Sequence, residues 1–326
     1  MNKPYRTQPN SNRSSKPSAW MSLALGLSIS LMSSASFAAP FGYAIDGDSL
    51  APSVYEIDFA DNSISEIGTA VTTDLPHQVD EVEASSFGPG GVTLFAVTDD
   101  NSYKPGHDID DDVDGTILTD ALYTINTTTG AATWIADLSR AIDDPGLAFC
   151  SSDQTMYLSS TVTGGGALYV LDLSTGELSE RGTNGITAMS ALACAIDGTL
   201  YGVSHDTDKF YTINKTNGTA TEVGDLTIPV ASQTGLGYIG SKLYLVADWF
   251  AGSNSPTMLY EINIVTGAAS FVANLDGGAL HLENLASPEE AAGSPVAIPT
   301  LSQWALMLLI GAMSLISMRQ LKGRSL

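Results

Sequence analysis

One pattern recurs five times along the chain and constrains its fold more than any other feature. It reads Val54-Tyr-Glu-Ile-Asp-Phe-Ala-Asp-Asn62, Leu122-Tyr-Thr-Ile-Asn-Thr-Thr-Thr-Gly130, Leu168-Tyr-Val-Leu-Asp-Leu-Ser-Thr-Gly176, Phe210-Tyr-Thr-Ile-Asn-Lys-Thr-Asn-Gly218 and Leu259-Tyr-Glu-Ile-Asn-Ile-Val-Thr-Gly267. Apolar and polar residues alternate with a period of two, which is the signature of a strand. Asp or Asn then opens a tight turn by bonding its own backbone, and Gly, in four of the copies, supplies the positive φ that ends it. A second short strand follows, as in Ala132-Thr-Trp-Ile-Ala-Asp137 and Ala220-Thr-Glu-Val-Gly224. Each copy is therefore a β-hairpin.

Upstream of four hairpins lies another two-strand unit: Glu83-Ala-Ser-Ser-Phe87 with Leu94-Phe-Ala-Val97, Gly146-Leu-Ala-Phe149 with Met156-Tyr-Leu-Ser159, Ala191-Leu-Ala-Cys194 with Leu200-Tyr-Gly-Val203, and Gly235-Leu-Gly-Tyr238 with Leu243-Tyr-Leu-Val246. Four antiparallel strands per unit make the blade of a β-propeller. The hairpin tyrosines Tyr55, Tyr123, Tyr169, Tyr211 and Tyr260 are spaced by 68, 46, 42 and 49 residues, and a 22-residue acidic insert, Asp99 to Asp120, accounts for the long first interval. The first unit begins at once with Phe41-Gly-Tyr-Ala-Ile45 and lacks an innermost strand, whereas Leu280-His-Leu-Glu-Asn-Leu-Ala286 at the far end has no hairpin of its own. If that last segment completes the first blade, the ring closes with no free edge. An open solenoid or a two-sheet sandwich has no use for a strand held over to the end. The sequence thus predicts an all-β, five-bladed propeller over residues 39–287, followed by a Pro-, Ala-, Gly- and Glu-containing linker over 288–297.

The charge is concentrated in this middle region, where 36 acidic residues face only 6 basic ones. Such a field repels nucleic acid and anionic lipid and favours divalent cations or cationic partners. Nucleic-acid binding is excluded. The two cysteines, Cys150 and Cys194, fall near the ends of equivalent strands in neighbouring repeats. A one-residue shift between the two alignments leaves their pairing open.

Two places could carry chemistry. In the insert, His107-Asp-Ile-Asp-Asp-Asp-Val-Asp-Gly115 places Asp110, Asp112 and Asp114 ahead of a glycine, as in the opening of a calcium loop, where alternate side chains point inward. The closing bidentate acid is missing, and only Asp120 is nearby. The expected Ca2+ ligands are Asp108, Asp110, Asp112 and Asp114. The other place is the axial mouth, where the starts of the innermost strands carry Asp80, Glu81, Glu83, Asp143, Asp144, Gln233, Glu283 and Asn284. Paired carboxylates there would suit a carbohydrate-active hydrolase or lyase, and polar residues there equally suit any solvated channel mouth. The four histidines show no metal spacing, no catalytic residue is assigned, and the exposed pair Trp249-Phe250 could contact a sugar ring.

The ends give an address. The first 38 residues contain no acid, carry Lys3, Arg6, Arg13 and Lys16, and run into an apolar stretch from Trp20 to Met32. At 13 residues this stretch falls short of the roughly 20 that span a bilayer, and Ser36-Phe37-Ala38 fits a cleavage site read through small side chains, with the cut after Ala38. At the other end, Val296 to Met318 is uncharged over 23 residues, about 34 Å as a helix, and is followed by Arg319, Lys322 and Arg324. A transmembrane helix with a cytoplasmic basic end is expected, leaving the middle region outside.

Ile298-Pro299-Thr300-Leu301-Ser302-Gln303-Trp304-Ala305, then an apolar span and a basic end, resembles the IPTL-type C-terminal sorting signal of Gram-negative bacteria. That family usually reads Ile-Pro-Thr-Leu-Ser-Glu-Trp-Gly, so Gln303 and Ala305 are departures, while Ile298, Pro299, Thr300, Leu301 and Trp304 match. The resemblance implies recognition by an exosortase-like sorting protease, passage through an inner-membrane intermediate, and delivery to the cell surface or extracellular matrix. The expected function is that of a surface-sorted binding or structural module with a cell-surface polysaccharide or protein ligand. Enzymatic action at the propeller axis is the alternative.

Overall fold

The computed structural model describes residues 40–47, 52–71, 79, 82–98, 120–161, 166–183, 185–186, 188–230, 234–247, 257–275 and 280–288. The chain divides into two units, Met1–Ala38 and Ala39–Leu326, and every described residue belongs to the second. The proposed cut after Ala38 and the tail from Ile298 lie outside the described residues. Among the described residues no helix is long and apolar enough to cross a membrane.

Five antiparallel sheets follow one another along the chain. Blade 1 holds β1 (Phe41–Ile45), β2 (Ser53–Asp58) and β3 (Ser63–Thr69). Blade 2 holds β4 (Val82–Phe87), β5 (Leu94–Thr98), β6 (Ala121–Ile125) and β7 (Ala132–Asp137). Blade 3 holds β8 (Gly146–Cys150), β9 (Thr155–Ser160), β10 (Ala167–Leu171) and β11 (Leu178–Thr183). Blade 4 holds β12 (Ala191–Cys194), β13 (Leu200–Ser204), β14 (Lys209–Ile213) and β15 (Ala220–Asp225), and blade 5 holds β16 (Thr234–Ile239), β17 (Lys242–Ala247), β18 (Met258–Ile262) and β19 (Ala269–Asn274). The innermost strands pack side by side, β4 against β8, β8 against β12 and β12 against β16, while β1 touches both β4 and β16. The ring is the predicted five-bladed propeller.

The missing strand of blade 1 comes from the far end of the domain. Tyr43 and Ala286 exchange both backbone hydrogen bonds at 2.8 Å, Gly47 N–H donates to His281 O at 3.0 Å, and Asp46 bridges to Leu282. The closing segment, residues 281–286, is thus held by bridges and not by a continuous ladder. Gly235 of β16 lies so close to it that a Cβ there would collide with the Asn284 carbonyl carbon. Glycine is what lets the fifth blade abut the first.

Burial explains the strand sequences. Inner strands are covered on both faces by neighbouring blades, so β5, β8 and β13 are buried along their whole length, whereas outer strands such as β15 and β19 have no fully buried residue. The apolar core lies in the seams between blades, in four clusters. The five repeat tyrosines are buried there. Directly before each, at Val54/Tyr55, Leu122/Tyr123, Leu168/Tyr169, Phe210/Tyr211 and Leu259/Tyr260, the pairing slips by one residue. The extra residue of each β-bulge, Ile67, Ile135, Arg181, Val223 or Val272, belongs to the outer strand, which it twists more strongly. In the hairpin turns Asn126, Asp172, Asn214 and Asn263 each accept a backbone N–H two residues on, as expected of Asx turns.

Cys150 and Cys194, the last residues of β8 and β12, form a disulfide with a Cα–Cα distance of 5.2 Å. It joins the innermost strands of blades 3 and 4.

Candidate functional site

The innermost strands run in one direction, so their first residues meet at one end of the axis, here called the upper face. A cavity of about 10 Å³ opens there, lined by all five blades through residues that include Glu83, Gly146, Ser190, Thr234 and Glu283. Two acidic residues expected at the mouth, Glu83 and Glu283, therefore belong to its lining, and the Glu283 carboxylate lies against Gly47 of blade 1. Glu283 is 3% exposed. Between them the hydroxyls of Ser190 and Thr234 are hydrogen-bonded at 2.9 Å. One step further in, Asn284 Oδ1 accepts from Ser85 Oγ at 2.7 Å and its Nδ2 donates to Val82 O at 3.1 Å, so the amide fixes the strand that carries Glu283. Asp80, Glu81 and Gln233 lie outside the described residues. The cavity has room for about one water molecule. Its size suits water or an ion better than a sugar ring.

Asp143 and Asp144 are not part of this lining. Asp143 Oδ2 accepts from Thr161 Oγ1 at 2.8 Å, which ties the connection before β8 to the end of β9. Asp144 has a φ of 44° and places Oδ2 3.8 Å from Nε2 of His205, at the seam between blades 3 and 4. Asp206 Oδ1 lies 4.0 Å from the same nitrogen. Burial pushes the Asp144 carboxyl above its usual range; the charge of His205 opposes this, and those of Asp143 and Asp206 add to it. His205 escapes a search for metal spacing, because one acidic neighbour, Asp206, is adjacent to it in sequence and the other, Asp144, comes from the connection before another blade. Aligning the connections at the blade ends would have brought them together.

The acidic insert leaves β5 and re-enters at β6. Its proposed Ca2+ ligands Asp108, Asp110, Asp112 and Asp114 lie outside the described residues, as does the Trp249-Phe250 pair. Its ends are fixed: Ala121 N–H donates to Thr98 Oγ1 at 3.2 Å, and Asp120 Oδ2 accepts the Ile142 N–H at 2.6 Å. Asp120 is 2% exposed. That carboxylate is held by the connection between β7 and β8. Among the described residues no group of three or more His, Cys, Asp or Glu side chains could hold a metal ion.

Residues 296–323 match a family model described as the IPTL-CTERM motif. The chain carries an IPTL-CTERM motif. It covers the end of the chain alone and begins ten residues after Ala286, the last residue of the closing segment. The propeller is thus complete before the IPTL-CTERM motif starts. No curated protein matches the sequence. Among solved structures, the nidogen/laminin complex is similar with a TM-score of 0.48 and 8% identity over 77% of this chain and 98% of that one. TolB from Acinetobacter baumannii gives 0.41 and 14% over 73% of this chain and 53% of that one, so the chain spans about half the length of TolB. The periplasmic gluconolactonase PpgL of Pseudomonas aeruginosa gives 0.38 and 15% over 73% and 68%. None reaches 0.5, and the fold of this IPTL-CTERM protein rests on its own strand pairing.

Proposed function

We propose that this chain is exported, sorted through its C-terminal motif to the cell surface or extracellular matrix, and acts there as a binding or structural module. The observation that carries the reading is the match of residues 296–323 to the IPTL-CTERM motif, set directly behind a ring that needs nothing beyond Ala286 to close. The Cys150–Cys194 disulfide supports it, since such bonds persist in oxidising compartments outside the cytosol. The reading takes an exosortase-like protease as the sorting partner, an inner-membrane intermediate held by the apolar tail, and a cell-surface polysaccharide or protein as the ligand. Cell fractionation with mass determination of the mature protein tests it. Loss of residues 1–38 and cleavage near Thr300, with release from the inner membrane, is the expected result. An intact tail retained in the inner membrane sinks the sorting reading.

Calcium binding by the acidic insert belongs to the same proposal, since a run of aspartates so dense needs counter-ions. Calorimetric titration of the chelator-stripped protein with Ca2+ tests it, and the absence of a binding heat removes the ion. Against carbohydrate hydrolysis at the axis, which Glu83 and Glu283 would serve, a cavity of only about 10 Å³ favours the binding and structural reading.

A further inference from the structure

The same strand directions that define the upper face place both ends of the ring on the opposite, lower face. The closing segment runs from the upper mouth down to Ala286, and β1 starts beside it, with Tyr43 paired to Ala286. Pro40 confirms the level, because its carbonyl accepts the Phe59 N–H of the β2–β3 turn at 3.0 Å and its ring packs against Gly240 of the β16–β17 turn. The chain therefore leaves for the linker and the apolar tail from the lower face of blade 1.

Exposed aliphatic side chains cluster on this face. Of the six large apolar residues exposed among the described residues, Val92, Ile196, Ile264 and Val265 sit on lower-face turns, and Val92 and Val265 are 79% and 80% exposed. Val92 belongs to the β4–β5 turn of blade 2 and Ile264-Val265 to the β18–β19 turn of blade 5. Blades 2 and 5 are the two neighbours of blade 1: Ser85 of β4 bonds Asn284 on one side, and Gly235 of β16 abuts it on the other. The aliphatic tips thus flank the point where the tail departs. Of the four sibling turns, two carry polar residues in the place of Ile264-Val265, namely Thr127-Thr128 and Lys215-Thr216, while in the other two Phe59 and Leu173 pack back against the core.

We infer that the lower face, through Val92, Ile264 and Val265, rests on a bilayer surface of uncharged or zwitterionic headgroups while the tail is inserted. This rests on the reading of residues 296–318 as a membrane anchor. The linker of ten residues, 288–297, keeps the tips within about 35 Å of the lipid even when fully extended. Tethering at that distance raises their effective concentration to the millimolar range, so a contact too weak to bind a free domain is populated. The excess of 36 acidic over 6 basic residues selects against anionic lipid. The axial mouth, the Asp144–His205 seam and the ends of the acidic insert then all face away from the membrane, open to a partner from outside.

The test uses the full chain reconstituted into phosphatidylcholine vesicles, with a nitroxide attached at V92C, at V265C or, on the upper face, at D206C. Power saturation with a water-soluble nickel chelate reads each label. Labels at 92 and 265 should lose about threefold or more of their chelate accessibility relative to detergent solution, with no change at 206, as interfacial insertion of a turn tip requires. Protection at 92 should be lost in I264D/V265D, which changes two exposed turn residues and leaves the tether, and so mere proximity, as it was. Equal accessibility at all three positions, or protection at 92 unchanged by I264D/V265D, overturns the inference. A chain that fails to float with the vesicles overturns the anchor reading and this inference together, whereas flotation with unprotected tips overturns this inference alone. Protection that appears only with a sorting protease in the membrane assigns the face to a protein and overturns lipid as the occupant.

Discussion

The carboxamide of Asn284 pairs with both backbone groups of Ile45, accepting its N–H at 3.2 Å and donating to its C=O at 3.5 Å, across 239 residues of sequence. It stands in for the backbone pair that an unbroken ladder would place between Tyr43–Ala286 and Asp46–Leu282. With its bonds to Ser85 and Val82, one buried side chain ties the closing segment to both blade 1 and blade 2. Asn284→Leu, of similar volume, leaves buried donors and acceptors unmatched and should cost about 3 kcal/mol or more in urea unfolding. Ser85→Ala, which removes one bond, should cost about 1 kcal/mol. Equal effects of the two would refute a central role for the amide.

The disulfide should contribute strongly because it closes a loop between residues 44 apart. Chain-entropy reasoning gives about 4 kcal/mol for such a loop. For a domain of this size, calorimetry of C150A/C194A should show a midpoint lowered by roughly 8–16 °C. A fall of less than about 4 °C would contradict the loop-closure account.

Gly218 ends the blade 4 hairpin turn at a φ of 74°, and a Cβ there would lie 2.5 Å from the carbonyl oxygen of Gly182 in blade 3. Gly218→Ala combines left-handed strain with a backbone clash and should destabilise by about 2–3 kcal/mol. Thr216→Ala, two residues away on the exposed turn, should change stability by less than about 0.5 kcal/mol. Similar losses in both would show that the turn matters and the blade contact does not.

Asp144 gives a pH dependence with a definite sign. Burial holds its carboxyl above the usual range, so the fold favours the protonated form. Its contribution is complete below the unfolded carboxylate range near pH 4 and is lost as pH rises through the folded value. Asparagine tolerates the positive φ at this position. Asp144→Asn should therefore raise the melting point at pH 7 and leave it nearly unchanged at pH 3. A variant less stable than the parent at pH 7 would show that the charge pair with His205 outweighs burial.

The five blades and their closure were legible because repetition makes each hairpin evidence for the others. Leu280 to Ala286 could be placed by its likeness to the starts of inner strands, even though it forms only bridges. The bulges were not legible. Ile67, Ile135, Arg181, Val223 and Val272 lie in outer strands that hold at most one fully buried residue each, so there is little alternation for an added residue to break. At the axis, Glu83 and Glu283 could be read from strand starts. Asp144 could not, because its left-handed backbone sits it beside His205 of the next blade, and a lone residue's φ leaves no trace in a periodic pattern.

The hydrogen bond from Ala121 to Thr98 makes blade 2 indifferent to what joins β5 and β6. The intervening stretch is a cassette whose frame is already nailed shut, so its content can be lengthened, shortened or exchanged between related proteins without renegotiating the core. Diversification of this protein's specificity would be cheapest there, and a graft of foreign sequence between Thr98 and Asp120 would be displayed on the upper face.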